Sequence, residues 1–528
     1  MPGSSCGSCV LPPASLRCQN ASMPRAFPYN QPMPMSPHVL VRLVLAVWLT
    51  LTATVRATDH ERWYTVEIDG QRAGWMHASQ ATAEGRVTTT SRMEVAIRRG
   101  TTPLSIALTT RFVETEAGEP IEMSVDQRFG SEPVSVRYRF NREGVDVETT
   151  QGGRTTRGTL PAPEGRWLPP AAASRYLEQR LAAGADPIVL RTVDPQGGPT
   201  VIEIRREGFE ATTVEVMGRS LDAIRCRTSS SDMPVGVSTV EIMDRRGVPL
   251  RTELDLGGMK MALFATDEAA AQARVHAPEL LIRSFVRPDR RIDSPRRVGE
   301  AVYLLSVPDG SLPDLPIGGA QHVDRLDGSR ARVLVRFQNQ RAEPLELDAA
   351  PYLAPSAMAD SDDPVIVELT RGALRGVRDG KPARAENLRQ FVGRHISAKS
   401  LGVGFASASE VARTLEGDCT EHAVLLAAML RADGIPSRVV SGLIYADRFE
   451  GERDVFVYHM WTQALLDTDG GPAWVDLDAT LGTVPFDATH IALAVSALAD
   501  GEAVRAMAAA APLIGRLRVE IESTKGRP

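Results

Sequence analysis

The chain has 528 residues, a formal net charge of −6, 43% hydrophobic residues and 24% charged residues. These values are ordinary for a globular protein, and the length suggests about three domains. The small net charge and the lack of a long basic run exclude an electrostatic basis for binding nucleic acid.

The first patterned segment indicates an export signal that lies well after residue 1. Residues 1–34 are rich in Pro, Ser and Cys without periodicity, so we interpret them as a non-structural extension or a misassigned start. In residues 35–57, Arg42 precedes a short apolar stretch and Ala57 ends a small-residue cleavage pattern, which predicts a signal peptide. We therefore expect export to the periplasm or the extracellular space, with membrane attachment only if the segment 39–55 stays uncleaved.

Residues 58–277 are predicted to form a β-rich domain. Runs such as 87–97 alternate with period 2 and are rich in β-branched residues, which is typical of an antiparallel sheet with one buried face. Helices are expected at Ala171–Ala183 and from Thr266 to about Val275. Cys226 falls on a buried strand face, so we expect an unreactive thiol there.

Residues 278–349 are predicted to form a smaller β-rich unit, which runs from Leu280–Ile282 to Val333–Phe337. A Pro-containing segment at 349–364 follows, and we interpret it as a linker or surface loop. Its acidic cluster lacks the spacing of a calcium-binding loop, so we expect solvated charge at Asp360, Asp362 and Asp363.

Residues 350–528 switch to a helical period and then return to strands, which predicts an α+β domain. The expected helices lie near 365–378, 384–397 and 408–415, the last with a Ser407/Glu410 capping-box pattern, and the expected strands near 437–446, 455–466 and 473–479. The fold class of the chain is therefore α+β, with an N-terminal antiparallel β-rich region and a C-terminal α+β core.

The segment around Cys419 carries the chemistry. Asp418 and Glu421 form a second capping-box pattern, which places Cys419 in the first turn of a helix that ends at Asp433–Pro436. The free N–H groups and the helix dipole at that end favour a thiolate and can stabilise an oxyanion. Cys419 is thus a candidate nucleophile, and His459, in a downstream strand, is a candidate base.

Four sequence blocks in this region together resemble a bacterial transglutaminase-like core. They are Gly417–Asp418–Cys419, Leu430–Arg438, His459–Met460–Trp461 and Trp474–Thr480, which match G-D-C, L-R-x-x-G-I-P-x-R, H-x-W and W-x-x-x-D-P-T. The resemblance spans roughly residues 350–490. It implies a papain-like fold in which Cys419 is the nucleophile, His459 the general base and Asp478 the carboxylate that orients the base.

Two features of the last block depart from a simple match. Ala479 stands where the family usually has proline. Asp476 and Asp478 fall on the same face of the expected strand, so alternation cannot choose between them, and only the spacing from the tryptophan selects Asp478.

The resemblance implies thiol-dependent acyl transfer on a protein or peptide amide, without a cofactor. The thiolate would form a thioester with loss of an amine, and water or a second amine would then release the acyl group. The first outcome is that of a protease or amidase and the second that of a transglutaminase. Three alternatives remain: a Cys226–Cys419 disulfide, a catalytically inactive exported binding or scaffold module, and a zinc site made of Cys419, His422, His459 and Asp478.

Overall fold

The computed structural model describes residues 60–527 apart from internal gaps at 100–101, 130–131, 152, 194–197, 232, 234–238, 256–258, 280–283, 309, 338–347, 378–379, 401–405 and 500–512. The expected signal peptide, its cleavage site and the run Leu280–Ile282 lie outside the described residues. Among the residues described, no helix is both long enough and apolar enough to cross a membrane.

The N-terminal region is one antiparallel sheet of fourteen strands. They are β1 (His60–Ile68), β2 (Gln71–Ala83), β3 (Arg86–Arg99), β4 (Thr102–Thr115), β5 (Pro120–Phe129), β6 (Glu132–Phe140), β7 (Val145–Gln151), β8 (Arg154–Leu160), β9 (Ile188–Val193), β10 (Val201–Val216), β11 (Arg219–Ser230), β12 (Thr239–Met243), β13 (Pro249–Asp255) and β14 (Lys260–Thr266). β14 pairs with β1, so the order is β8 to β1 followed by β14 to β9. Alternating burial, as in β4, follows from the period-2 sequence pattern.

Helix α1 (Pro170–Ala182) joins the two halves of this sheet and matches its expected position. Its first turn has no cap of its own, and the buried carboxylate of Glu114 in β4 accepts the N–H groups of Ala171 and Ala172, both at 2.9 Å. A neighbouring strand therefore supplies the cap that the local sequence lacks.

The second expected helix is much shorter than predicted, because α2 covers only Glu268–Ala271. Asp267 caps its start by accepting the N–H of Ala270 at 2.7 Å. Arg72 of β2 donates to the carbonyl of Ala271 at 2.7 Å, which occupies an acceptor that a longer helix would use.

A second sheet has four strands in the order β16-β17-β15-β22. These strands are β15 (Val298–Ser306), β16 (Gln321–Arg325), β17 (Arg330–Arg336) and β22 (Arg518–Gly526). β22 pairs with β15 across more than two hundred residues of sequence. This sheet therefore combines strands from residues 298–336 with a strand from residues 518–526.

The third unit packs five helices against a sheet of order β20-β19-β18-β21. The helices are α3 (Ala350–Leu353), α4 (Pro364–Ala373), α5 (Lys381–His395), α6 (Ala408–Thr414) and α7 (Cys419–Ala432), and the strands are β18 (Ser437–Phe449), β19 (Glu452–Thr468), β20 (Gly471–Leu477) and β21 (His490–Ser496). One buried hydrophobic cluster includes residues of all three sheets. The described chain thus has the predicted β-rich region followed by an α+β core.

The acidic segment before α4 differs from the expected solvated loop. Asp360 is buried, and its Oδ1 accepts the N–H of Ser409 at 2.9 Å in the first turn of α6. Ser407 makes no capping hydrogen bond, so the predicted Ser407/Glu410 box is wrong and Asp360 replaces it. Asp363 caps α4 through the N–H of Val365, at 2.8 Å.

Candidate active site

Cys419 lies at the first residue of α7, as the sequence predicts. Asp418 is the N-cap, its Oδ1 accepts the N–H of Thr420 at 2.8 Å, and Glu421 Oε2 accepts the N–H of Asp418 at 2.9 Å. A Cβ on Gly417 would lie 2.3 Å from the Cβ of Glu421, so only glycine allows this capping box. The capping box therefore fixes the backbone from which the thiol projects.

The carboxyl group of Glu421 is buried beside Asp418. Burial, reinforced by the negative charge of Asp418, raises the pKa of Glu421 well above its usual range. The raised pKa favours the neutral carboxyl group of Glu421, which limits the negative charge near Cys419.

His459 of β19 forms its principal contact with Asp478. The His459 Nε2 to Asp478 Oδ2 distance is 2.7 Å, and both side chains are buried. Asp478 lies just beyond β20 rather than on it, where it caps a 3₁₀ helix over Ala479–Leu481. Strand alternation therefore does not apply to Asp478, and the orientation of its carboxylate comes from the cap.

The second oxygen of Asp478 is also occupied. Its Oδ1 accepts the N–H and the hydroxyl of Thr480 at 2.8 and 2.6 Å. The buried guanidinium of Arg389 donates to the Asp478 carbonyl at 2.8 Å. These contacts hold Asp478 without the proline that Ala479 replaces.

Asp476, the other carboxylate of this block, faces a different set of partners. It accepts hydrogen bonds from Trp461 Nε1 at 2.7 Å, Gln463 Nε2 at 2.7 Å and the N–H of Ala320 at 2.8 Å. Ala320 precedes β16, so Asp476 ties the small sheet to the core. The structure thus pairs His459 with Asp478 and gives Asp476 a structural environment.

The N-terminal end of α7 lies near the His459–Asp478 pair. Thr462 in β19 donates to the carbonyl of Ala423 in α7 at 2.9 Å. Burial lowers the pKa of His422 to about 4, and the charges of Asp478 and His459 also act on it. His422 directs Nδ1 to the Asp418 carbonyl of its own helix, at 2.7 Å.

The two ring nitrogens of His459 differ in their hydrogen bonding. Among the described residues, its Nδ1 is buried and has no hydrogen-bond partner. An ionised carboxylate can only accept, so Nε2 carries the proton that bonds to Asp478 and Nδ1 is the basic nitrogen. That tautomer is the one required for proton abstraction from a thiol.

A second histidine, His490, contacts the same carboxylate, and the sequence analysis did not identify it. His490 Nε2 lies 3.2 Å from Asp478 Oδ2, and its Nδ1 lies 2.9 Å from the Asp487 carbonyl and 3.5 Å from Asp487 Oδ1. Asp487 in turn pairs with Arg296, at 2.7 Å. No motif marks these residues, and Arg296 lies almost two hundred residues upstream.

The opposite charges of these hydrogen-bonded residues stabilise one another. Burial alone would raise the pKa of Asp478, but the charge of His459 and hydrogen bonds from His459 and His490 hold it well below its usual range. Burial alone would lower the pKa of His490, but its bonds to Asp478 and Asp487 raise it to about 9. Burial likewise opposes ionisation of Asp487, and Arg296 and His490 lower that pKa to about 2.

A metal ion could be shared by three of these side chains on distance alone. The ligand atoms of His459, Asp478 and His490 lie within 4.8 Å of one another. Both Nε2 atoms, however, already bond to Asp478 Oδ2, and a metal ion would have to replace both contacts. The alternative zinc set, which included Cys419 and His422, is not the set that the described residues group, and we interpret the cluster as a hydrogen-bonded network.

The remaining motif residues brace the site. Arg431 of α7 donates to the carbonyls of Ala354 and Ser437, at 2.8 and 3.0 Å, and so joins the helix to β18. Arg438 bonds Gln463 at 2.7 Å, and its guanidinium lies 4.2 Å from the Trp474 ring centroid. The arginines of this block therefore stabilise the domain.

The two described cysteines are not bridged. Cys226 and Cys419 are both buried and form no disulfide, which excludes the alternative of a bridge between them. Burial and the nearby Glu241 raise the pKa of the Cys226 thiol to about 12. Cys226 is thus buried in the N-terminal sheet, as expected, and its lack of reactivity stays a prediction.

Comparison with known proteins gives one family match. Residues 367–479 match the family described as the Transglutaminase-like superfamily. No curated protein matches the chain.

Three solved structures show weak similarity. A candidate cysteine protease from Cytophaga hutchinsonii has 14% identity over 44% of this chain and 84% of its own, with a TM-score of 0.26. The periplasmic domain of TgpA from Pseudomonas aeruginosa, bound to ethylmercury, has 15% identity over 38% and 89%, with a TM-score of 0.25. A candidate protease from Parabacteroides distasonis has 9% identity over 67% and 63%, with a TM-score of 0.16.

These TM-scores are too low to carry an argument about function. The family match covers the Cys419 helix, the His459 strand and Asp478. Residues 367–479 are a domain of the transglutaminase-like superfamily.

Proposed function

We propose that this protein catalyses thiol-dependent acyl transfer on a protein or peptide amide, with Cys419 as nucleophile, His459 as general base and Asp478 as the carboxylate that orients His459. The observation that carries the proposal is the hydrogen bonding of the His459 ring. Its Nε2 is held at 2.7 Å by an ionised carboxylate, and its Nδ1 is buried without a partner among the described residues. His422 also has a buried ring nitrogen without a partner among the described residues, but its other nitrogen bonds a backbone carbonyl, whereas that of His459 bonds a carboxylate.

The proposed reaction has two steps. His459 Nδ1 takes the proton of the Cys419 thiol, the sulfur bonds to the amide carbonyl carbon, and the amine leaves with the proton that His459 returns. Water or a second amine then attacks the thioester carbonyl carbon, gives a proton to His459, and releases the Cys419 sulfur. Water yields hydrolysis or deamidation, and an amine yields a cross-link.

The surroundings of the thiol favour a flexible substrate. Cys419 and His459 are both buried, so the scissile amide must enter a covered site. A loop or an extended peptide can do this at lower cost than a folded surface. We propose that the reaction takes place outside the cytoplasm, after export and removal of residues up to about Ala57.

The proposal is tested with the chain that starts after residue 57. Wild type, Cys419→Ala and His459→Ala are incubated with a mixture of denatured proteins and a fluorescent primary amine. Mass spectrometry then scores new N-termini, glutamine deamidation and amine incorporation. We expect the wild type to form one of these products. Both variants should form it at a rate lower by ~10⁴-fold or more, because the loss of a single member of a catalytic unit removes most of the activity.

His422→Ala is the matched control, because His422 is a buried histidine of the same domain whose side-chain hydrogen bond, among the described residues, goes to the Asp418 carbonyl and not to a carboxylate. This control should keep much of the wild-type rate. If the wild type forms none of the three products faster than Cys419→Ala, the protein is the inactive binding or scaffold module instead. If His422→Ala is as inactive as His459→Ala, the base has been misassigned.

A further inference from the structure

The site contains a buried histidine that the proposed reaction does not use. We propose that His490 is a positioning residue of the site: it holds the Asp478 carboxylate toward His459, and Asp487 together with Arg296 holds His490 in place. This inference rests on the proposed function. It adds Asp487 from the loop before β21, His490 at the start of β21 and Arg296 from the turn before β15 to a site otherwise built in the core.

The first support is the geometry around Asp478 Oδ2. This oxygen receives His459 Nε2 at 2.7 Å and His490 Nε2 at 3.2 Å, and the two ring centroids are 5.9 Å apart. A carboxylate oxygen held from two sides cannot rotate away from His459 without breaking the bond to His490. His490 therefore limits the motion that would misalign the base.

The second support is that both nitrogens of His490 face acceptors. Nε2 faces a carboxylate oxygen of Asp478, and Nδ1 faces the carbonyl and carboxylate of Asp487. Only the imidazolium form donates from both nitrogens, so this environment selects the charged ring. Its pKa of about 9 agrees with that reading.

The third support is the fixed position of the His490 ring. Phe486 stacks on it at 4.2 Å between centroids, and Trp461 meets it edge-on at 5.2 Å. Arg296 lies in the 3₁₀ turn that precedes β15, and its Nη1 is 2.7 Å from Asp487 Oδ2. The small sheet thus reaches the catalytic carboxylate through three consecutive polar contacts.

The charged and titratable groups around His490 come from several elements. The groups in direct contact are Asp478 and Asp487, and those acting through the two carboxylates or at longer range are His459, Asp476, Arg296, Arg527 and Lys399. Loss of the His490 charge removes one positive group from the site. Ionisation to a negative form nearby then becomes less favourable, so the alkylation profile of Cys419 should move to higher pH.

The test measures the rate at which iodoacetamide alkylates Cys419 between pH 5 and 10, by peptide mass mapping of the folded chain. In His490→Gln, which keeps a donor but not the charge, we expect the inflections to move to higher pH by on the order of one pH unit. In His490→Leu, which keeps neither, we expect the plateau rate to fall further than in His490→Gln. His395→Gln is the matched control, since His395 is a part-buried histidine that bonds the Ala412 carbonyl.

A variant that removes the outer support keeps the test decisive if the His490 variants do not fold. Arg296 lies in the turn before β15, outside the α+β core. The substitution Arg296→Gln should shift the inflections of the alkylation profile in the same direction, by a smaller amount. Folded variants of both residues with wild-type rates and inflections would overturn the inference. A wild-type Cys419 whose alkylation is unaffected by His459→Ala would instead refute the proposed function, and this inference with it.

Discussion

The two described cysteines allow a direct comparison of thiol reactivity within one chain. Cys226 has a pKa near 12, so at pH 7 only about one molecule in 10⁵ carries a thiolate there. Even a thiol at the ordinary value of about 8.5 would hold a few per cent of thiolate. We therefore expect Cys419 to react with iodoacetamide at least ~10³-fold faster than Cys226, since only the thiolate is the nucleophile.

The pH dependence separates activation from simple accessibility. An unactivated thiol loses a factor of ten in rate for each pH unit below its pKa, whereas a thiolate paired with the His459 imidazolium keeps its rate well below pH 7. The assay is peptide mass mapping of native protein at pH 6 and pH 8, with urea-unfolded protein as the reference for full access. Equal labelling of Cys226 and Cys419, or a tenfold loss per unit at Cys419, would refute the reasoning.

The other expectations concern stability and processing. Asp476→Ala should lower the free energy of unfolding by roughly 3 kcal/mol in a urea titration, because three buried donors lose their acceptor; a change below about 1 kcal/mol would contradict the bracing role. The pKa of His490 is higher in the folded state than in the unfolded state, so the charged ring stabilises the fold by about 3 kcal/mol. This stabilisation should be complete below about pH 6.5 and be lost as the pH rises through 9. Calorimetry should find this loss in the wild type and not in His490→Gln. Arg206→Met leaves the fully buried Glu241 unpaired and should cost about 3–5 kcal/mol, which a second change, Glu241→Leu, should largely restore if the 2.9 Å pair is the cause. N-terminal sequencing of protein from the native host should find a start after Ala57, and a chain that retains the first residues would contradict export.

The core of the candidate site could be predicted because its signals are local. The capping box at Asp418 and Glu421 and the position of Cys419 depend on residues three positions apart, and the structure shows both. The spacing from Trp474 identified the aspartate that bonds to His459, but other contacts determine its position in the structure. Asp478 is set by the Thr480 cap and by Arg389, not by strand alternation.

The missed features depend on contacts between distant segments. Asp360 caps α6 from 49 residues away, and Arg296 reaches Asp487 across 191 residues. A buried acid and an exposed acid look alike in a sequence, because burial is a property of the folded neighbours. His490 begins β21, which lies beyond the strands expected from the sequence, so its bond to Asp478 was not predicted.

The pairing of β22 with β15 has a consequence for the order of folding. Residues 518–526 close a sheet whose other strands lie between 298 and 336, and the whole α+β core lies between them in sequence. A chain that emerges from a ribosome or a translocon in sequence order can assemble the fourteen-stranded sheet early, but it cannot complete the small sheet until residue 526 is free. Arg296, which stands in the turn just before β15, would therefore reach its final position late, so the site would mature only after residues 518–526 have joined that sheet.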